Sequence, residues 1–307
     1  MSLIVYALVL IWESTLPPHR HILLQITIQP YYTPITSCLI FKKELSLGRY
    51  SGPFSRSRLE LLLGPFRSSP LGTILKSHDS TDHRIVQDLS FPRNEPARSS
   101  VNDQININDF RCDWGTFNNV WAIVVDTPEG TEAATLNVDS AFRCCPILPS
   151  QQHNFIVHWN GLYYIDHNAP FRATSTGGVF GRVADAKSAI LKSKKIGPSK
   201  NWVNNFVFFR FPLLLSPEPV FPYSLSDIYA LAKCLSWPWK ESKTRPFVSE
   251  FKYLGFVWNL SAKTVQIPDQ KKICYLEKLD LAERLEIHQE GHRVRLGNSC
   301  TLLAGGA

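Results

Sequence analysis

The chain has 307 residues, of which 44% are hydrophobic and 12% aromatic, enough apolar side chains for one large domain or two ordinary ones. This composition excludes a disordered chain. The formal charge of +7 and a pI near 9.0 favour a polyanionic partner, because bound Lys and Arg release counterions from phosphates. Charge alone does not identify that partner, since many basic proteins bind no nucleic acid.

Cysteine, histidine and apolar patterns limit the remaining classes. The seven cysteines form no C-x-x-C pair, a pattern typical of a reduced, intracellular protein. The nine histidines lack cysteine or glutamate companions at zinc-ligand spacing, which argues against a zinc site. The apolar stretch 3–12 is shorter than the roughly 20 residues of a membrane span, so it predicts a buried strand and no membrane association. Residues 1–45 carry no functional assignment.

Beyond the first 45 residues, short apolar runs broken by Gly, Pro and Asn predict a mixed α+β domain. The predicted helices cover residues 58–63, 109–125, 176–192, 223–235 and 269–285. The predicted strands cover residues 74–76, 84–89, 134–138, 251–258 and 264–267, with two hairpins at 154–165 and 202–211. Asn160-Gly161 marks the turn of the first hairpin, and Asn204-Asn205 is placed at the turn of the second. Asp269 is predicted to cap the last helix.

Six blocks of sequence follow one another in a recognisable order. They are 49–71 (RYSGPFSRSRLELLLGPFRSSPL), 84–102 (RIVQDLSFPRNEPARSSVN), 136–146 (LNVDSAFRCCP), 164–186 (YIDHNAPFRATSTGGVFGRVADA), 202–212 (WVNNFVFFRFP) and 251–258 (FKYLGFVW). In that order they resemble the fingers and palm of the reverse transcriptases of tyrosine-recombinase (DIRS-like) retroelements, notably those of fungi. Any single block would be a weak signal, whereas six in order are specific.

The resemblance implies a right-hand polymerase fold, with fingers and palm in residues 46–268 and a truncated thumb and tail in residues 269–307. It implies an RNA-directed DNA polymerase by descent, whose partners are an RNA/DNA template-primer and deoxynucleotides. The implied cofactor is Mg²⁺, or Mn²⁺ in its place. Two such ions, roughly 3.5–4 Å apart, stabilise the attacking and leaving oxygens of the phosphoryl transfer.

The three aspartates that hold these ions in the family map onto Asn137, Asn204 and Asn205. An amide oxygen can coordinate a metal but brings no negative charge, and Mg²⁺ is usually held through one or two carboxylates. The sequence therefore predicts the fold without the chemistry. Asp139 lies two residues from Asn137, on the same side of an extended strand, and is the candidate metal ligand nearby. A solvated or helix-capping aspartate is the alternative.

Further positions follow from the resemblance. Arg172 stands where the family has a glycine that lets the backbone approach the nucleotide. Replacements of Asp by Asn and of Gly by Arg each arise from one G-to-A transition, which indicates a degenerate copy. Lys76 and Arg84 match positions that contact the triphosphate, and Phe142 matches the side chain that excludes the sugar 2′-hydroxyl by bulk. The alternative for Lys76 and Arg84 is that they are exposed basic residues on a solvated hairpin. The alternative for Phe142 is that it is a core aromatic.

The hairpin that grips the primer end in the family is matched by Tyr253, Leu254, Gly255 and Phe256, although an edge strand fits the same periodicity. Three functions remain open. The chain is an inactive reverse transcriptase-like domain, a nucleic-acid-binding remnant without catalysis, or a weakly active polymerase that relies on Asp139. The sequence does not indicate an oligomeric state.

Overall fold

The computed structural model describes residues 34–75, 83–93, 98–214, 219–277 and 279. These residues form both helices and strands. The helices are α1 (Pro34–Ser46), α2 (Arg56–Leu63), α3 (Phe117–Asp126), α4 (Thr176–Ser193), α5 (Leu225–Cys234) and α6 (269–277). The strands are β1 (Tyr50–Phe54), β2 (Leu71–Leu75), β3 (His83–Gln87), β4 (Glu132–Asn137), β5 (Ile156–Trp159), β6 (Leu162–Asp166), β7 (Ser199–Trp202), β8 (Asn205–Arg210), β9 (Arg245–Val248), β10 (Glu250–Tyr253), β11 (Phe256–Asn259) and β12 (Thr264–Gln266). The predicted α+β class is confirmed. The predicted strand at 3–12 lies outside the described residues.

Within those residues the strands form four antiparallel sheets, ordered β7-β8-β4-β9, β1-β6-β5, β10-β11-β12 and β2-β3. Strand β4 pairs with β8 from Glu132 opposite Arg210 to Asn137 opposite Asn205. Because side chains alternate along a strand, this sheet supplies two separate cores. One face carries Leu136, Phe206 and Phe208 into the core under α4 and α5. The other face carries Ala133, Val207 and Phe209 into a second core with α3 and β10–β11.

Helix α1 is fixed to the fold by an aromatic stack and an ion-pair network. Phe41 stacks on Trp159 with ring centroids 4.4 Å apart. The Arg143 guanidinium lies 3.0 Å from Glu44 and 2.8 Å from Asp166, which is almost fully buried. Burial raises the pKa of Asp166 to about 6, against the opposing effect of Arg143, so the carboxylate is ionised at neutral pH. Helix α1 ends at Ser46, so Phe41 and Glu44 both precede residue 46, where the sequence placed the start of the domain.

Lys187 on α4 is a buried cation among aromatic rings. Its Nζ lies 3.8 Å from the ring centroid of Trp239 and 4.0 Å from that of Trp237, and it makes no hydrogen bond to any described residue. Ring faces attract a cation. Burial nevertheless lowers the pKa of Lys187 to about 6, because the charged form loses its hydration.

The helix predicted at 109–125 is wrong in its first part, because α3 begins only at Phe117. Thr116 and Asn119 form a capping box, in which each side chain accepts a hydrogen bond from the backbone N–H of the other residue. Just before this cap, the Gly115 N–H donates to the Asn201 carbonyl at 2.9 Å. The preceding segment is thus held against the residues of β7, a long-range contact that the apolar periodicity did not reveal.

The other predicted helices and the hairpin at 154–165 are confirmed, whereas the hairpin predicted at 202–211 is observed at 199–210. Two further local differences concern a strand and the start of a helix. The strand predicted at 251–258 is split by a turn at Leu254-Gly255, whose φ angles are +51° and +81°. Asp269 is the first residue of α6 and not its cap, since the Pro268 carbonyl accepts hydrogen bonds from the N–H groups of the first turn. Most of the predicted helix beyond residue 277 lies outside the described part of the chain.

Close packing of α4 predicts the outcome of a glycine substitution. A Cβ at Gly178 would lie 1.8 Å from the Phe110 carbonyl oxygen, so Gly178→Ala is expected to lower the free energy of unfolding by about 1–3 kcal/mol. Gly177 is the matched control, because no heavy atom lies within 4 Å of a Cβ there. Gly177→Ala is expected to be neutral or to stabilise by up to about 1 kcal/mol. Urea denaturation measures both, and equal effects would contradict the close approach.

The buried Lys187 predicts a pH-dependent stability. Its pKa is lowered to about 6 from an ordinary value of 10.5, so the unfolded chain binds more protons between these limits and stability rises with pH across that window. Lys187→Met is expected to remove this rise and to increase the free energy of unfolding at pH 7 by about 1 kcal/mol or more. Thermal melts from pH 6 to 9 measure the slope. Lys192→Met, on the exposed side of α4, should keep the wild-type slope, and an unchanged slope in Lys187→Met would refute the prediction.

Candidate active site at the asparagine hairpin

Three asparagines meet at one end of the β4–β8 pair. Asn137 ends β4 directly opposite Asn205, which begins β8. Asn204 lies in the turn between β7 and β8; its carbonyl accepts a hydrogen bond from the Val138 N–H at 2.8 Å, and its Nδ2 donates to the Val138 carbonyl at 3.4 Å. Two sequence blocks that lie far apart in the chain therefore place their asparagines side by side.

The turn of this hairpin lies one residue earlier than predicted. Trp202 pairs with Asn205, so the two loop residues are Val203 and Asn204, not Asn204 and Asn205. Val203 has a φ of +51°, the left-handed conformation that a two-residue hairpin loop requires. The sequence signal was misleading because valine rarely adopts this conformation.

The predicted primer-grip residues form a hairpin packed against the asparagine hairpin. The hydroxyl of buried Tyr253 donates to the Asn205 carbonyl at 3.1 Å. Burial raises the pKa of Tyr253, so this hydroxyl stays protonated and donates. Leu254 and Gly255 form the turn, and Phe256 packs on the ring of Phe117 with centroids 5.1 Å apart. The structure thus places these residues beside the candidate site, and their contact with a primer stays a prediction.

Asp139 follows β4 in a turn, so it does not continue the extended strand. Its Oδ1 accepts a hydrogen bond from Ser140 at 3.3 Å and lies 3.7 Å from the Nζ of Lys240. Lys240 was not singled out in the sequence. The tertiary fold brings Lys240 close to Asp139, because Lys240 lies 100 positions after Ser140 in the chain.

The side chains of this site do not fit a pair of divalent metal ions. Among the described residues no group of three or more His, Cys, Asp or Glu side chains is arranged to hold a metal. The asparagines offer neutral oxygens, and the carboxylate of Asp139, two residues after Asn137, already faces an ammonium group. A hard cation such as Mg²⁺ dehydrates reluctantly and favours carboxylates, which this arrangement lacks.

Phe142 and Arg172 lie near each other at the edge of the main core. Phe142 packs edge-on against Phe171, with ring centroids 5.4 Å apart, so it is at least a core aromatic. Arg172 is exposed and has a φ of +76°. Its carbonyl accepts a hydrogen bond from Asn102 Nδ2 at 2.9 Å, and Asn102 Oδ1 accepts one from the Thr174 N–H at 3.0 Å. Asn102 therefore holds the loop in the left-handed shape that suits the glycine implied by the resemblance.

The hairpin predicted from residues 74–76 and 84–89 is confirmed as β2–β3. Lys76 lies outside the described residues. Arg84 is in β3 opposite Ile74, and its side chain is likewise outside the described part. Their contact with a triphosphate stays a prediction. Asn102 and Arg143 were missed as organising residues, although both lie inside blocks that carry the resemblance.

The described fold is similar to that of solved reverse transcriptases. The foamy viral protease-reverse transcriptase in complex with an RNA/DNA hybrid matches with a TM-score of 0.54 and 16% identity, covering 82% of this chain and 28% of that one. The native prototype foamy virus enzyme matches with a TM-score of 0.52 and 16% identity, covering 84% and 29%. The foamy viral complex with double-stranded DNA matches with a TM-score of 0.52 and 14% identity, covering 85% and 46%. The chain spans less than half the length of these proteins.

No protein-family model and no curated protein matches the chain. Over the residues that the structure describes, none of the helices has the length and apolar character needed to cross a membrane. Likeness at 14–16% identity shows the fold alone. The described chain therefore has a reverse transcriptase-like fold of mixed helices and antiparallel sheets.

The conformation of residue 172 predicts a stabilising substitution. A side chain in the left-handed region costs about 1–2 kcal/mol relative to glycine, so Arg172→Gly is expected to raise the free energy of unfolding by about 1 kcal/mol. Arg172→Ala is the matched control, because it removes the charge and the long side chain but keeps the Cβ. Denaturant titration of both variants measures the difference. Equal stability of the glycine and alanine variants would show that the loop carries no such strain.

Proposed function

We propose that this chain is the fingers and palm of a reverse transcriptase-like domain from a tyrosine-recombinase retroelement, which keeps the polymerase fold without its chemistry. The observation that carries the proposal is the meeting of Asn137, Asn204 and Asn205 at the end of β4 and β8. These are the three positions at which the resemblance expects metal-binding aspartates. A right-hand arrangement, with residues 269–307 belonging to a thumb, is part of the same proposal.

Loss of activity follows from the charge of the site. With aspartates at the three positions, the site would supply three more negative charges to two divalent ions. With asparagines it supplies none, and the carboxylate of Asp139 is shared with Lys240. Polymerase activity that relies on Asp139 is therefore the weaker alternative, since one paired carboxylate cannot neutralise two ions.

The partner in this proposal is a nucleic-acid duplex. A net charge of +7 supports it, as does likeness to proteins whose structures were determined with an RNA/DNA hybrid or with double-stranded DNA. A remnant that binds a duplex without extending it is compatible with the same fold. Deoxynucleotides and Mg²⁺ would be partners of the ancestral enzyme.

The replacements support descent from an active element by biased mutation. Changes of Asp to Asn at 137, 204 and 205 and of Gly to Arg at 172 can each arise from one G-to-A transition. Comparison of the gene's codons with those of an active relative tests this origin. Differences spread over all base types would contradict it.

Restoring the four positions together is the experiment that tests the proposal. Asn137→Asp, Asn204→Asp, Asn205→Asp and Arg172→Gly are expected to give primer extension on an RNA template with Mg²⁺ or Mn²⁺, whereas the wild-type chain gives none. Partial restoration is not informative, because catalytic residues that act as a unit are grossly non-additive. Binding of a labelled RNA/DNA hybrid at about 50 mM salt is measured on the same proteins, since electrostatic association is strongest at low salt.

The controls separate the three functions. Extension by the wild-type chain that disappears in Asp139→Ala would establish the weakly active polymerase and overturn the proposal. Hybrid binding by both proteins with extension by neither would leave a binding remnant as the function. Absence of both binding and extension in the restored variant would contradict the assignment of the site.

A further inference from the structure

Residues 238–240 run alongside the end of β4 like a short added strand. The Asp139 N–H donates to the Pro238 carbonyl at 2.8 Å, and the Lys240 N–H donates to the Asn137 carbonyl at 2.8 Å. Between these bonds, Val138 and Trp239 form an isolated antiparallel bridge. The backbone of Lys240 is thereby fixed to Asn137 itself, so this lysine differs from a mobile surface residue.

Trp239 anchors this segment to the hydrophobic core. Its side chain is buried against the rings of Phe206 and Phe208, with centroids 5.3 Å and 6.0 Å away, and against Trp237 at 6.0 Å. Phe206 lies in β8 next to Asn205, so the same packing supports both the asparagine hairpin and the lysine segment. The position of Lys240 relative to the asparagines is consequently set by the core.

The side chain of Lys240 places a positive charge beside Asp139, the carboxylate that follows Asn137 by two residues. Its Nζ lies 3.7 Å from Oδ1 of Asp139, and both side chains are about half exposed. Such an exposed pair contributes little to stability. Its effect on a cation is different, because an ammonium group beside a lone carboxylate repels a divalent ion and competes for the same oxygen.

We propose that Lys240 is a built-in counter-ion of Asp139 that keeps divalent metal ions away from this carboxylate, which lies two residues after Asn137. The proposal concerns ion binding by the chain with its present residues. It rests on the proposed function only in treating Asn137, Asn204 and Asn205 as the positions of metal-binding aspartates. It implies that losing the carboxylates at 137, 204 and 205 is only part of the change. The remaining acidic group is occupied by a cation that the chain itself supplies.

Titration of the full chain with Mn²⁺ alone tests the proposal. Broadening of the Asp139 and Ser140 backbone amide signals by the paramagnetic ion reports its presence at this place, even when binding is weak. In low salt, Lys240→Met is expected to reach half-maximal broadening at about three- to tenfold less Mn²⁺ than the wild type. Lys243→Met removes the same charge three residues further along and should titrate like the wild type.

Equal titration of Lys240→Met and the wild type would overturn the proposal, as would an equal gain in Lys243→Met. Lys240→Gln provides a second variant with a polar side chain, and it should titrate like Lys240→Met. Amide signals far from residue 240 confirm that each variant is folded. Primer extension by the four-position restored variant is a separate measurement, so failure of the proposed function and failure of this inference are distinguishable.

Discussion

The backbone pairing of β4 with β8 is the interaction on which the rest of the structure depends. Six residue pairs, from Glu132–Arg210 to Asn137–Asn205, set one register. That register decides which side chains enter each of the two cores, since a slip of one residue would exchange the faces. It also decides that the last pair consists of two asparagines. Core packing and the chemistry of the site are therefore fixed by the same ladder.

The sequence predicted the elements of this fold where the residues that determine an element lie within it or next to it in the chain. Gly64 after the apolar run ends α2, and Asn160-Gly161 forms the hairpin turn between β5 and β6. The predicted bounds of α4 and α5 lie within a few residues of the observed ones. The three asparagines were also found in the sequence, although their meeting at one place needed the resemblance and then the strand register.

Contacts between distant residues account for what the sequence could not predict. The segment before α3 is held by Gly115 bonding to Asn201, a partner 86 positions away. The turn of the asparagine hairpin depends on Val203 adopting a conformation that its side chain disfavours. Lys240 meets Asp139 only because the segment carrying Trp239 packs under β8. Neither these two contacts nor the conformation of Val203 has a signature in composition or periodicity.

The electrostatic character of the site and that of the core beneath it are related. Lys187 lies under β8 with its amine over Trp237 and Trp239, and Lys240 lies above with its amine beside Asp139. The same short segment, 237–240, thus contacts one lysine inside the protein and carries another at the surface. A change in this segment would affect both the packing of α4 and the charge beside Asp139.

The attachment of α1 has a practical meaning for the size of the folding unit. A fragment begun at residue 46, where the sequence pattern changes, would lack Phe41 from its stack on Trp159. It would also lack Glu44, leaving Arg143 and Asp166 to balance each other alone in the interior. A fragment that preserves these contacts includes Phe41 and Glu44 of α1. Residues without a functional signal in the sequence therefore contribute to this side of the core.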